Sequence, residues 1–306
     1  MDVKASLEQF LDRPRVVGIR AVLDAYGRAP GGLLANGLAF AAIFATFPIA
    51  LVTLGVAGWL VDDPAVQAQL AAAIGALVPP LRDLVEQALA SLSAGAALTS
   101  ILGLVSLVWT VSQFYVTLDV AFARIFTDRP ERDVLRRTAR GFVWVAGLVA
   151  AVVALIVAGA LATAAEALLP APPEALRSIR LVLSSPPFLV LLGVAVVMLI
   201  YRTVPPEAPS WRAAALPASV AGIAIVILSQ VFLSISAFLL GSTALAGPLA
   251  TAFIALAWLS FTFQALLYGA AWVRVRDDRE RIALSNPDGS ALAGPAAAAE
   301  ASSRGQ

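Results

Sequence analysis

The chain has 306 residues, of which 60% are hydrophobic and 13% charged, with a mean hydropathy of +0.86 and a formal net charge of +1. A soluble chain carries about 25% charged residues, so this surplus of apolar surface calls for lipid and argues against a soluble enzyme. With neither cysteine nor histidine, the chain lacks disulfides, thiolate nucleophiles, the commonest general base and the usual zinc and haem ligands. No catalytic residue, metal or cofactor is expected.

Residues 3–28 carry Val16, Ile19, Leu23 and Tyr26 at three- and four-residue spacing, with Arg13, Arg15, Arg20 and Arg28 among them. This predicts a helix opened by Pro14 that either lies under anionic headgroups or packs on the rest of the molecule from the cytosol. Residues 33–61 form a first span. It is too long for the apolar region of a signal peptide and reads as an uncleaved signal anchor. Pro48 lies inside it and removes one backbone hydrogen bond, which predicts a kink near Thr46-Phe47-Pro48. Residues 65–95 are too polar to cross. They repeat Val66, Leu70, Ile74 and Leu77 and then, beyond Pro79-Pro80, Leu81, Leu84, Val85, Leu89 and Leu92 on one helical face, predicting an amphipathic hairpin outside the membrane.

Span two, 98–122, holds the most polar intramembrane set: Trp109, Ser112, Gln113, Thr117 and Asp119. Span three, 141–164, is almost purely aliphatic. Span four, 188–201, is short by a turn or two for a bilayer core and closes at Tyr201-Arg202-Thr203-Val204-Pro205-Pro206. Trp211-Arg212 opens span five, 213–240, with Ser229, Gln230, Ser234 and Ser236 as its polar residues. A turn at 241–247 leads to span six, 248–273, where Gln264 stands out. Residues 274–306 read as a basic segment passing into a disordered tail beyond Arg281. The expected fold is all-α, with six transmembrane helices in one membrane domain at 33–273 and an amphipathic segment at 1–32.

Lys and Arg resist translocation, so their distribution fixes orientation. Under this topology 18 of the 21 fall on one side and only Arg82, Arg177 and Arg180 on the other, which places both termini in the cytoplasm.

Several local sequences then resemble one another's counterparts in a known family. These are Asn36-Gly37-Leu38-Ala39-Phe40 leading to Phe47-Pro48, Trp109-Thr110-Val111-Ser112, Ala121-Phe122-Ala123-Arg124-Ile125-Phe126, and Tyr201-Arg202-Thr203-Val204-Pro205 followed by Trp211-Arg212-Ala213-Ala214. In this order and spacing the chain resembles the YihY/BrkB family of bacterial inner-membrane proteins over about residues 35–273. It departs from the family at Phe122-Ala123, at Phe126 and at Ala246-Gly247. The resemblance implies six helices, a plasma-membrane location, and a role in envelope integrity or export of lipidic material. A tRNA-processing ribonuclease activity sometimes ascribed to the family is opposed by the residues: there is no histidine and no carboxylate cluster with metal-ligand spacing. No nucleic-acid partner is expected, and no nucleotide-binding glycine pattern is present.

Asp119 is the sharpest candidate, because a carboxylate within a span is costly unless paired, protonated or wetted. It either lines a cavity as a proton- or substrate-linked group or sits at the cytoplasmic interface near Arg124. Asn36, Ser112, Gln113, Gln230 and Gln264, with the kink at Pro48, either converge on that cavity or serve as interhelical hydrogen bonds. Arg202, Arg212 and Trp211, with Arg124, are candidate headgroup or interface contacts. Two readings follow. One is an exporter or flippase of a lipid or amphipathic envelope precursor, using a cavity among spans one, two and five gated by the 65–95 hairpin. The other is a non-transporting scaffold for envelope-assembly proteins.

Overall fold

A computed structural model describes residues 14–60, 96–126, 185–241 and 248–285, with isolated helical positions at Val143, Gly147, Ala151, Ser178 and Leu181. The 65–95 hairpin, most of span three and the tail beyond Ser285 lie outside the described residues. Among the described residues the chain is all helical, without strands, in six helices: α1 (Pro14–Arg28), α2 (Gly31–Leu60), α3 (Ala96–Ile125), α4 (Pro186–Thr203), α5 (Trp211–Gly241) and α6 (Pro248–Ser285). Three stretches among them are long and apolar enough to cross a membrane, Pro186–Thr203, Trp211–Phe232 and Phe253–Ser285. In hydrocarbon every backbone group must be paired within its own segment, which is why such apolar runs form helices.

The expected boundaries hold at most ends, and Pro14 does open α1. The backbone of α2 is helical through Pro48, whose side chain lies outside the described residues. α3 runs three residues past its expected end, to Ile125, and α4 and α6 are longer than expected. α4 gains a turn, because Pro186 and Pro187 occupy first-turn positions where a missing N–H costs nothing, and Ser185 precedes them in extended conformation. Its 18 residues then span about 27 Å, close to a bilayer core. α6 does not stop at Val273 but continues to Ser285. The charged residues there are spaced as helical pairs, Arg274 with Asp278 and Asp277 with Arg281, which carry the helix out into water.

α6 is the central helix and touches each of the other five; α2 also packs on α3, and α4 on α5. Tyr201, Phe122, Phe126, Leu38, Ile125, Leu267 and Val273 are fully buried and form the core near one end of the bundle, called here the charged end. Small residues let the backbones approach, as is usual between membrane helices. A β-carbon on Gly222 of α5 would lie 2.7 Å from the Cα of Val194 on α4. One on Gly269 of α6 would collide with the Tyr201 hydroxyl, which donates instead to the Leu266 carbonyl at 2.7 Å.

α1 packs lengthwise on the end of α6. The rings of Tyr26 and Tyr268 stack with centroids 3.7 Å apart, and Gly18 faces the Arg279 guanidinium further out. The helix packs on the bundle through this face. Ile19 and Leu23 of the same stripe remain exposed.

Candidate functional site

Two polar assemblies stand out: a seam between helices in the apolar zone and a clasp at the charged end.

The register of the helices sets the seam. Phe114 of α3 packs on Phe263 of α6, and Arg274 of α6 donates to the carbonyl of Ile125 on α3. Both pairs are 149 residues apart, so the two helices run parallel in a constant register. Ser112 and Gln113 therefore lie at the depth of Phe261 and Thr262, and Asp119 at that of Tyr268. Asn36 on α2 accepts a hydrogen bond from Ser260 of α6, whose hydroxyl in turn accepts one from Gln264 at 3.2 Å. The Thr262 hydroxyl nearby is buried and has no partner among the described residues.

Of the residues gathered by sequence, Asn36 and Gln264 are thus joined, through Ser260. Ser260 was missed, although its four-residue spacing from Gln264 on one helical face could have found it. Ser112 is half-buried and Gln113 exposed. Asp119 is only 7% exposed, and Tyr115, Leu118 and Phe122 of the same helix are buried as well. By register it stands level with Tyr268, about 12 Å from Ser260 along the axis, on the interfacial side of the seam. Gln230 faces outward on α5 and does not join it.

The clasp is built around Asp277, 2% exposed on the aqueous extension of α6. One carboxylate oxygen accepts the Ser210 N–H at 2.9 Å and the other accepts Arg281 Nε at 3.0 Å. Arg281 also reaches Glu207 at 2.8 Å. Burial works against the Arg281 charge, but the hydrogen bonds and charges of Asp277 and Glu207 outweigh it and raise its pKa above the ordinary arginine value. Ser210 caps α5, its hydroxyl accepting the Ala213 N–H at 2.9 Å and donating to Glu280. The α4–α5 connection is therefore fastened to α6 by the cap of one helix and the carboxylates of another.

The interface candidates separate as well. Arg202 donates to the Pro209 carbonyl and lies over the Trp211 ring, 4.5 Å from its centroid, so it shapes the turn. Arg124 and Arg212 are exposed. Arg276, not singled out by sequence, lies beside Arg212 and donates to its backbone carbonyl at 3.3 Å.

Apolar helices of membrane-crossing length, with apolar side chains outward and a charged clasp at one end, define a polytopic integral membrane protein. Residues 22–291 match the family described as virulence factor BrkB, and the chain belongs to that family. Among curated proteins and among solved structures nothing matches it.

Proposed function

We propose that this chain is a six-span protein of the bacterial inner membrane with both termini in the cytoplasm, serving envelope integrity by exporting or flipping a lipid or amphipathic envelope component. The observation that carries this reading is the Asn36–Ser260–Gln264 seam: hydrogen-bonding side chains from α2 and α6 that meet within stretches of apolar helix. Such groups can exchange partners with a polar headgroup at low cost, since interhelical membrane hydrogen bonds average about 0.6 kcal/mol. The charged end is the cytoplasmic one on this reading, because the termini of α3, α4, α5 and α6 that carry Arg124, Arg202, Arg212 and Arg274 all gather there. The protein works without a catalytic centre or cofactor, and its ligands are membrane lipids.

The scaffold reading is favoured by one observation: Gln230 faces outward on α5, away from the seam. The two part on translocation of lipid precursors by the purified protein in liposomes, with Asp119→Asn, Ser260→Ala and Gln230→Ala beside the native chain. Transport through the seam requires native flux that falls in Ser260→Ala with the fold intact. No native flux across several envelope lipids would leave the scaffold.

A further inference from the structure

The arginines at the charged end are mostly consumed by the protein itself. Arg202 holds a carbonyl and a ring, Arg274 holds the Ile125 carbonyl and Asp278, and Arg281 holds Asp277 and Glu207. Arg212 and Arg276 differ. The Arg212 side chain stands exposed in the first turn of α5, and among the described residues no carboxylate pairs with it or with Arg276. Arg276 is half-buried, makes one bond to the Arg212 carbonyl, and leaves its buried Nε without a partner. A partly desolvated guanidinium without a counter-ion is costly, and its planar fork fits a phosphate as it does a carboxylate.

What lies beneath Arg212 narrows the source of that phosphate. Leu216, Val220, Ile223, Ile227 and Val231 are all exposed. They follow Arg212 at three- and four-residue spacing, one apolar ladder down the outer face of α5 with the arginine at its head. An acyl chain matches such a ladder, and free phosphate has no use for one.

We propose that Arg212 and Arg276 form a binding site for an anionic phospholipid of the leaflet at the charged end. The phosphate bridges the two guanidinium groups and an acyl chain lies along the α5 ladder. The site serves a structural lipid as well as cargo, so it stands apart from the transport reading.

The test uses the full-length protein in detergent. Native mass spectrometry counts bound phosphatidylglycerol against phosphatidylcholine for the native chain, Arg212→Gln, Arg276→Gln, the double variant, Arg212→Lys and, as a surface control, Arg20→Gln. An interfacial cation contributes about 1 kcal/mol, so each glutamine substitution lowers the preference for phosphatidylglycerol by about five-fold and the double variant by about 25-fold. Arg212→Lys keeps only part of it and Arg20→Gln all of it, while inorganic phosphate at equal concentration displaces nothing. Should Arg212→Gln or Arg276→Gln misfold, Arg212→Lys and phosphate competition on the native chain still decide. A double variant that selects phosphatidylglycerol like the native chain overturns the proposal. So does an equal loss in Arg20→Gln, which would mean diffuse charge, and so does displacement by inorganic phosphate, which would mean a soluble anion.

Discussion

Replacing Asp277 by alanine tests how the charged end is held. The carboxylate accepts two donors while almost wholly buried, the Ser210 N–H and Arg281 Nε. Breaking a buried ion pair costs about 3–5 kcal/mol when it strands a buried charge. The stranded partner here is 47% exposed and retains Glu207, so the ionic part falls to the surface range of up to about 1 kcal/mol. The Ser210 N–H is part-buried and loses its acceptor, adding about 1–2 kcal/mol. The expected loss for Asp277→Ala is thus about 1–3 kcal/mol. Asp277→Asn keeps an acceptor for Ser210 and loses up to about 1 kcal/mol. Arg281→Ala leaves the Asp277 carboxylate, only 3% exposed, without its cation and costs about 1–3 kcal/mol. Unfolding followed by tryptophan fluorescence in mixed micelles gives the three values. An unchanged Asp277→Ala would refute the clasp itself.

Three further outcomes are expected. Gly269→Ala drives a methyl into the Tyr201 hydroxyl and destabilises by about 1–3 kcal/mol; Tyr201→Phe alone costs about 1 kcal/mol, and the double variant recovers part of the loss in the same unfolding assay. Burial, and secondarily Tyr268, push the Tyr26 phenol up from 10.0 to about 12. A raised folded-state pKa gives stability that is complete below the unfolded value and lost as pH rises through the folded one, so the grip of α1 on α6 weakens between about pH 10 and 12. Tyr26→Phe removes that loss, as read by spectrophotometric tyrosinate titration together with protease access to α1. Asn36→Leu removes the acceptor of Ser260 and costs about 0.5–1 kcal/mol of stability, visible as a small downward shift in the unfolding midpoint.

Hydropathy located the described spans because burial in lipid leaves its mark on nearly every residue of a crossing helix. The same signal cut α6 short at Val273. Beyond that point composition turns polar, while the helix is sustained by charge pairs four residues apart and by α1 packed beside it. Asp277 read as one more loop carboxylate. Its burial depends on Ser210, 67 residues away, a distance no local pattern can bridge. Asn36 and Gln264 were legible as intramembrane amides, but their common partner is a serine, a residue ordinary in any membrane helix. Gln230 was read with them because sequence gives polarity without azimuth; on α5 it lies outward. The arginines were legible in topology and not in use, since their sum hides that Arg202 and Arg274 are spent on carbonyls while Arg212 is not.

The Tyr201–Gly269 contact also makes α6 a seesaw. The fully buried tyrosine sits against α6 at Gly269 and Leu266, which serves as a fulcrum. Arg281 of the clasp lies about 18 Å along the axis on one side, and Ser260 of the seam about 13 Å on the other. A rigid tilt that carries the outer arm 3 Å would swing the seam by about 2 Å in the opposite sense, enough to part Ser260 from Asn36. Whatever takes hold of the aqueous arm of α6 therefore has mechanical leverage on the polar groups inside the membrane.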